Sequence, residues 1–250
     1  MKKIFFPLML CAAVLSAEQP KYLPLNGVAA APLAADNAYF RSPENPAPDY
    51  WNLSAFYVPQ YNNYSCSAAS LAMALNALAN TRRTRGDGEK NIEPRELAGK
   101  VTGFPWKDLL EEAGSEGRHG VTLAQLAEAA KETLAAYGIK AAVLAVEVPA
   151  QTAQGLEKFR RALAGNERSP DDIMLLYFAQ DAVTGAPGGP YAHISPVGAY
   201  DAKTRRVLVM DVDREWYEPY WAPETLVYKA MSVKTPLGAG GYAILRRAKQ

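Results

Sequence analysis

Four residues of this chain have types and an order that suit acyl transfer: a carboxamide at Gln60, a thiol at Cys66, an imidazole at His193 and a carboxylate at Asp211. The other cysteine, Cys11, falls in a leader-like segment, so the chain expected after export keeps Cys66 alone and has no internal disulfide. Such a thiol is either packing or a tool. Most free cysteines are small buried hydrophobes. Cys66, however, opens an alanine-rich run in which Leu71, Ala74, Leu75 and Leu78 recur at helical spacing. Only the thiolate attacks a carbonyl, and an unperturbed thiol is roughly 3% ionised at neutral pH; a helix amino terminus and a cationic partner both favour ionisation.

The search for a base is short, because the chain has 2 histidines. His119 stands in the polar turn Gly117-Arg-His-Gly120 ahead of a helix and reads as a surface residue. His193 follows Gly188-Gly-Pro-Tyr-Ala and enters an apolar run to Tyr200, where a ring beside glycines can face a cleft. It lies about 130 residues after Cys66, the order and separation expected of papain-like thiol enzymes. The imidazole needs a third group to orient it and to stabilise its charged form. The segment Val207-Leu-Val-Met-Asp211-Val-Asp213 offers two carboxylates that alternation places on one side. Asp211, nearer the strand interior, is the expected partner. Gln60, six residues before the thiol, would donate its amide to a developing oxyanion together with the backbone N–H of Cys66. One cysteine and two scattered histidines lack metal-ligand spacing, so no cofactor is expected for acylation.

Positioning these groups needs helices early and strands late. A helix is expected from Cys66 to about Ala79, then a polar loop over 81–93 and a short helix opened by Pro94. Thr122-Leu-Ala-Gln125 has the capping-box pattern of a helix that Gly138 would close. A strand over 139–148 and a helix over 153–164, ending at Gly165, come next. Strands are then expected at 173–178, 192–200, 207–212 and 242–245, with Asp201-Ala-Lys-Thr204 as a hairpin turn. Short turns between successive strands imply antiparallel pairing. The expected class is α+β, with a cleft between a helical part and a sheet.

Composition narrows the function classes. The 250 residues carry a formal charge of +1, which gives no electrostatic case for nucleic acid or an anionic membrane surface. Arg82, Arg83 and Arg85 read as a solvated basic cluster. Residues 1–17 have two lysines, an apolar run and small residues at the end, the layout of a secretory signal peptide too short to span a bilayer. Export, to a periplasm, is therefore expected, with no stable membrane association. Lipidation at Cys11 is less favoured because bulky Leu10 precedes it. Residues 18–50 read as a proline- and alanine-rich lead-in, and 51–250 as one domain.

The segment Val58-Pro-Gln60-Tyr-Asn-Asn-Tyr-Ser-Cys66-Ser-Ala-Ala-Ser, continuing through Met73 and Asn76-Ala-Leu78, resembles the catalytic segment of phytochelatin synthases. His193-Ile-Ser-Pro-Val-Gly-Ala-Tyr200, Val207-Leu-Val-Met-Asp211-Val-x-Arg214 with Trp221, and Leu226-Val-Tyr-Lys-Ala-Met231 resemble its second half. The chain looks like the single-domain bacterial type. The resemblance implies a papain-like fold, with a helical lobe carrying the Cys66 helix and an antiparallel β lobe carrying His193 and Asp211. It implies that Cys66 attacks the Cys–Gly amide of glutathione or a related γ-glutamyl thiol peptide. Glycine leaves, and water mainly resolves a γ-Glu-Cys acyl-enzyme. Transfer to a second glutathione would involve cadmium or zinc thiolates. Arg214 and Tyr217 are the implied substrate contacts. The chain departs from the family pattern at Ser67 (usually Gly), at Trp216 (usually Lys), and at Gly240-Gly241-Tyr242 (usually Arg-Gly-aromatic). It also has Thr235 near the place of an acidic residue. Two alternatives stay open: an exported cysteine peptidase or amidase acting on another substrate, and a non-catalytic thiol- or metal-binding protein.

Overall fold

The computed structural model of the chain describes residue 25 and residues 29–80 and 86–248. The leader expected over 1–17 and the cluster Arg82, Arg83 and Arg85 lie outside the described residues. Seven strands form one sheet: β1 (Ala31–Pro32), β2 (Ala141–Glu147), β3 (Asp172–Ala179), β4 (Ala192–Asp201), β5 (Arg206–Val209), β6 (Tyr220–Pro223) and β7 (Gly241–Arg247). Their order is β1-β6-β5-β4-β3-β7-β2, and every pairing is antiparallel. The helices are α1 (Pro48–Ser54), α2 (Cys66–Asn80), α3 (Pro94–Ala98), α4 (Trp106–Leu109), α5 (Leu123–Ala136), α6 (Ala153–Asn166), α7 (Gln180–Thr184) and α8 (Glu224–Ser232). The class is α+β. None of these helices is long and apolar enough to cross a membrane.

Strand β3 shows why the sheet is covered on both sides. Its run Ile-Met-Leu-Leu-Tyr-Phe is apolar at every position, so neither face can meet water. Ile173, Leu175 and Tyr177 join the core under α2 and α5, while Met174, Leu176 and Phe178 join the core under α6 and α8. Alternation along one strand thus feeds two hydrophobic layers.

Helix α2 is more deeply set than an amphipathic pattern implies. Residues 66–78 are buried all round, because α1, α3, α5 and the sheet surround the helix. Its polar side chains are spent on specific bonds. Ser70 Oγ donates to the Ile194 carbonyl of β4 at 2.9 Å, and the Trp106 indole donates to Ser67 Oγ at 3.1 Å. Asn76 bonds the backbone of Ile92 through both ends of its amide. Ser67 therefore holds a fully buried tryptophan in place.

Several expected bounds shift for identifiable reasons. Helix α6 runs through Gly165 to Asn166 instead of stopping at the glycine. Beyond it, Glu167 takes tertiary hydrogen bonds from Tyr39 and from the backbone of Ala47 and Tyr200, which holds the chain end of the helix. Strand β5 ends at Val209, and Asp211 and Asp213 lie just past it. Thr122 caps α5 with Gln125 in a reciprocal capping box, as its sequence pattern indicates. The stretch read as a lead-in packs on the sheet: β1 pairs with β6, and the Tyr39 and Trp221 rings lie 5.3 Å apart. Close approach explains one glycine. A Cβ on Gly240 would lie 2.1 Å from the Tyr177 carbonyl, so the backbone of β3 occupies the room a side chain there would need.

Asp49 is buried at the start of α1, and neither carboxylate oxygen has a hydrogen bond of ordinary geometry. Burial first, and the nearby Asp172 carboxylate second, push its pKa well above the usual carboxylate range, which a contact with Asn166 does not offset. The folded state thus binds the Asp49 proton more tightly than the unfolded chain. As pH rises above the unfolded value, the unfolded state ionises first and stability is lost. Asp49→Asn removes that titration. The stability of the variant relative to the parent should therefore rise as pH climbs above about 4 in thermal melts. A difference that is flat or falls with pH contradicts this.

Candidate active site

The approach to the thiol is built by two short polar side chains. Ser65 is fully buried, and its Oγ accepts the Tyr61 and Asn62 backbone N–H groups at 2.9 and 3.1 Å. Asn62 accepts from Tyr64 N at 3.0 Å and donates to the Leu110 carbonyl at 2.7 Å. This turn delivers Cys66 as the first residue of α2, where backbone N–H groups have no intrahelical partners. The same segment is tied to the chain after β5. Gln60 N donates to the Val212 carbonyl at 2.8 Å, and the Tyr57 hydroxyl donates to the Asp211 carbonyl.

His193 enters from β4 opposite Phe178 of β3, with the two rings edge to face at 5.7 Å. Its Nε2 lies 2.8 Å from Asp211 Oδ1, and Ser195 Oγ, two residues along the same strand face, is 2.9 Å from that nitrogen. The Cys66 thiol lies close enough to the ring to favour its charged form. With Nε2 directed at the carboxylate, Nδ1 is the nitrogen left for sulfur. The structure thus brings Cys66, His193 and Asp211 together in a relay of the kind that thiol nucleophiles use.

Asp211 is fully buried and surrounded by donors. Tyr220 donates to Oδ2 at 2.9 Å, the Asp213 backbone N–H to Oδ1 at 2.9 Å, and Gln180 Nε2 lies 3.3 Å from Oδ2. Burial works against its charge, but the His193 charge and these donors hold the carboxyl below its usual range. Burial likewise disfavours a charged His193; the Asp211 carboxylate, helped by the thiol contact, outweighs it and holds the ring well above its ordinary 6.5. Asp213 differs. Burial pushes its carboxyl up, and it reaches the group only through Gln180 Nε2 at 3.5 Å.

Two connected clefts flank the pair. One, of about 390 Å³, is lined by Cys66, Tyr64, Arg118, His119 and Leu237. The other, of about 540 Å³, is lined by Gln60, His193, Asp213, Trp216 and Tyr217. Asn63, Tyr64, Tyr191 and Ala192 border both. Gln60 therefore stands beside the ring, and its Oε1 has no partner among the described residues. Tyr217 reaches a cleft. Arg214 lines neither; it donates to the Tyr217 carbonyl at 2.6 Å and stacks over Tyr57, so its contacts hold the loop. His119 is not simply a surface residue. It stacks on Tyr64 at 4.0 Å, donates to the Glu112 carbonyl and walls the first cleft. Gln180, Ser195 and Tyr220 were not singled out from sequence. Ser195 carried a usable signal, since residues two apart on a strand share a face.

A sequence model of the family described as phytochelatin synthase matches residues 21–238. The chain belongs to the phytochelatin synthase family. It is 25% identical over 210 residues to glutathione gamma-glutamylcysteinyltransferase 3 of Lotus japonicus, covering 80% of this chain and 38% of that protein. It is 26% identical over 190 residues to glutathione gamma-glutamylcysteinyltransferase 1 of Triticum aestivum, covering 73% and 32%. The corresponding protein 1 of Arabidopsis thaliana is 25% identical over 188 residues, covering 73% and 33%. The chain thus spans about a third of the length of these curated relatives.

The site separates the two carboxylates by pH. Activity that needs a charged His193 is present below its raised pKa and lost as pH climbs through it. Asp211→Asn removes the charge that sustains this, while burial remains. The alkaline limb of kcat/KM should move down by a pH unit or more, on the order of the shifts that a neighbouring charge causes. Asp213→Asn should leave that limb in place. The reverse pattern would make Asp213 the orienting group.

Proposed function

We propose that this chain is a papain-like thiol acyltransferase that acts on glutathione. The observation that carries the reading is a His193 ring held by a buried carboxylate and set near the helix-start thiol where two clefts share a border. Membership of the phytochelatin synthase family and the names of the curated relatives supply the substrate class.

In the proposed cycle the Cys66 thiolate attacks the carbonyl carbon of the Cys–Gly amide. The oxyanion takes hydrogen bonds from the Gln60 amide and the backbone N–H of Cys66, donors that act where charge develops. The His193 imidazolium gives its proton to the departing nitrogen, and glycine leaves a γ-Glu-Cys thioester on sulfur. The neutral ring then takes a proton from water as it attacks, which releases γ-Glu-Cys and restores the thiol. Attack by the amine of a second glutathione instead gives a phytochelatin. Asp211 keeps its charge throughout and fixes the ring orientation. No resident metal takes part. Cadmium or zinc would enter as a thiolate of the second glutathione, as substrate. The leader-like residues 1–17 support an exported, periplasmic protein. A second reading, an amidase acting on another acyl group, is favoured by Gly240, where the Tyr177 carbonyl leaves no room for a substrate-binding side chain.

Intact-mass measurement of purified protein mixed with glutathione should show a γ-Glu-Cys adduct on Cys66 with glycine released. Cys66→Ser should fold normally and lose about a thousandfold or more in rate, since a hydroxyl is not ionised in the same way. Retained glycine release in that variant ends the proposal. Thiol chromatography should show γ-Glu-Cys as the main product, with phytochelatin minor even when cadmium or zinc is added. Unless an acceptor is fixed in place, water at about 55 M wins. A majority of the transfer product would contradict this partition.

A further inference from the structure

The two halves of a bound amide must lie on opposite sides of Cys66, because His193 has to reach the departing nitrogen. The leaving half then occupies the cleft lined by His193 and Gln60, and the acyl half the cleft on the Cys66 side. Among the described residues lining the acyl cleft, Arg118 carries the one permanent charge, and no aspartate or glutamate faces it. Pro236 and Leu237, which also line this cleft, are apolar. Arg118 is held on a rigid mount. Ser115 and Arg118 exchange backbone hydrogen bonds of 2.9 and 3.0 Å across a tight turn, with Glu116 and Gly117 at φ 53 and 70. Positive φ at both central residues is the mirror-image hairpin turn, which is a stiff one. The next residue, His119, is clamped between Tyr64 and the Glu112 carbonyl. The guanidinium itself meets the neutral Gln125 Oε1 at 3.2 Å, a contact that leaves its charge uncompensated. Tyr177, whose hydroxyl donates to the Val121 carbonyl on the cleft floor, lies within electrostatic reach of both Cys66 and Arg118.

We propose that Arg118 selects the acyl half of the substrate by pairing with its carboxylate, and that the site does not require the amine beside that carboxylate. The substrate class is then a thiol peptide whose acyl end carries a terminal carboxylate, with glutathione as one member and its des-amino counterpart as another. This rests on the thiol acyltransferase reading. Planar guanidinium–carboxylate pairing gives it geometry as well as charge, and the lining offers an ammonium group no carboxylate partner.

The test is glycine-release kinetics for the parent protein, Arg118→Met and Arg118→Lys. The substrates are glutathione, glutathione amidated at the glutamyl α-carboxylate, and glutaryl-Cys-Gly. Arg118→Met should raise KM for glutathione roughly ten- to a hundredfold with kcat changed only a few-fold, the range for a lost charge-assisted bond. Arg118→Lys should recover part of that loss. The amidated peptide should be used equally poorly by the parent and Arg118→Met, whereas glutaryl-Cys-Gly should stay within about threefold of glutathione with the parent protein. An unchanged KM in Arg118→Met overturns the proposal, as does an equal loss on the charged and amidated peptides. Should Arg118→Met fail to fold, the lysine variant and the parent protein's ranking of the three peptides still decide. A parent protein that acylates with glutathione but prefers the amidated peptide overturns this inference alone. No acylation by any of the three overturns the acyltransferase reading with it.

Discussion

A carboxylate with no solvent exposure stays ionised only where donors replace its water, and Asp211 is such a group at the heart of the candidate site. The donors come from separate pieces of chain: His193 on β4, Gln180 on α7, Tyr220 on β6 and the backbone of Asp213 beyond β5. None is close to Asp211 in sequence except the last. Satisfying one buried charge therefore fixes the relative placement of three strands and a short helix. Tyr220, pushed well above its usual value by burial and by Asp211, stays protonated and so remains a donor. The anchoring is mutual, since the imidazole gains its charge from the carboxylate it satisfies.

The thiol reaches this group by a second set of ties. Gln60 N–H bonds the Val212 carbonyl, one residue from Asp211, and Ser70 bonds the Ile194 carbonyl, one residue from His193. The start of α2 is therefore stitched to the backbone beside each of its two partners. Burial of α2 on all sides removes any freedom to slide, because close-packed interiors transmit small shifts instead of absorbing them. The polar residues of α2 serve this purpose and do not weaken the helix.

Much of this was legible in sequence where the signal is local. The capping box at Thr122, the Pro94 start of α3, the helix from Cys66 and the runs that became β3, β4 and β7 follow from periodicity and turn chemistry within a few residues. That Cys66, His193 and Asp211 would meet was legible because the chain has two cysteines and two histidines, and a strand ending in carboxylates follows His193. What was hidden depends on distant partners. The short β6 has too few residues to show alternation and is defined by pairing with β1 and β5. Gln180 has no local signal, and its role depends on Asp211 lying beside it. His119 has a polar, glycine-flanked setting that suits a surface turn, and only stacking on Tyr64 turns it into a cleft wall. Arg214, matched by resemblance to a substrate contact, donates to the Tyr217 carbonyl, a partner that its own sequence does not announce.

The two clefts differ in the charge they offer, and this bears on how a thioester at Cys66 would be resolved. An acceptor must attack from the side that the leaving group vacated, because the same His193 ring has to handle its proton. That larger cleft is lined by Trp216, Tyr217 and Tyr191, with Asp213 as its carboxyl group and no lysine or arginine among its described lining residues. On the proposed function, a second glutathione, with its net negative charge, would find aromatic surface there and no cation to fix it. Positioning is what gives an intramolecular-like acceptor its advantage over solvent, and stacking without a charge anchor supplies little of it. Water needs no such anchor. At position 216 the cleft presents an indole and no charge. On the proposed mechanism the balance tilts toward hydrolysis by what the leaving-group cleft lacks, while the acyl cleft keeps a cation for recognising the donor.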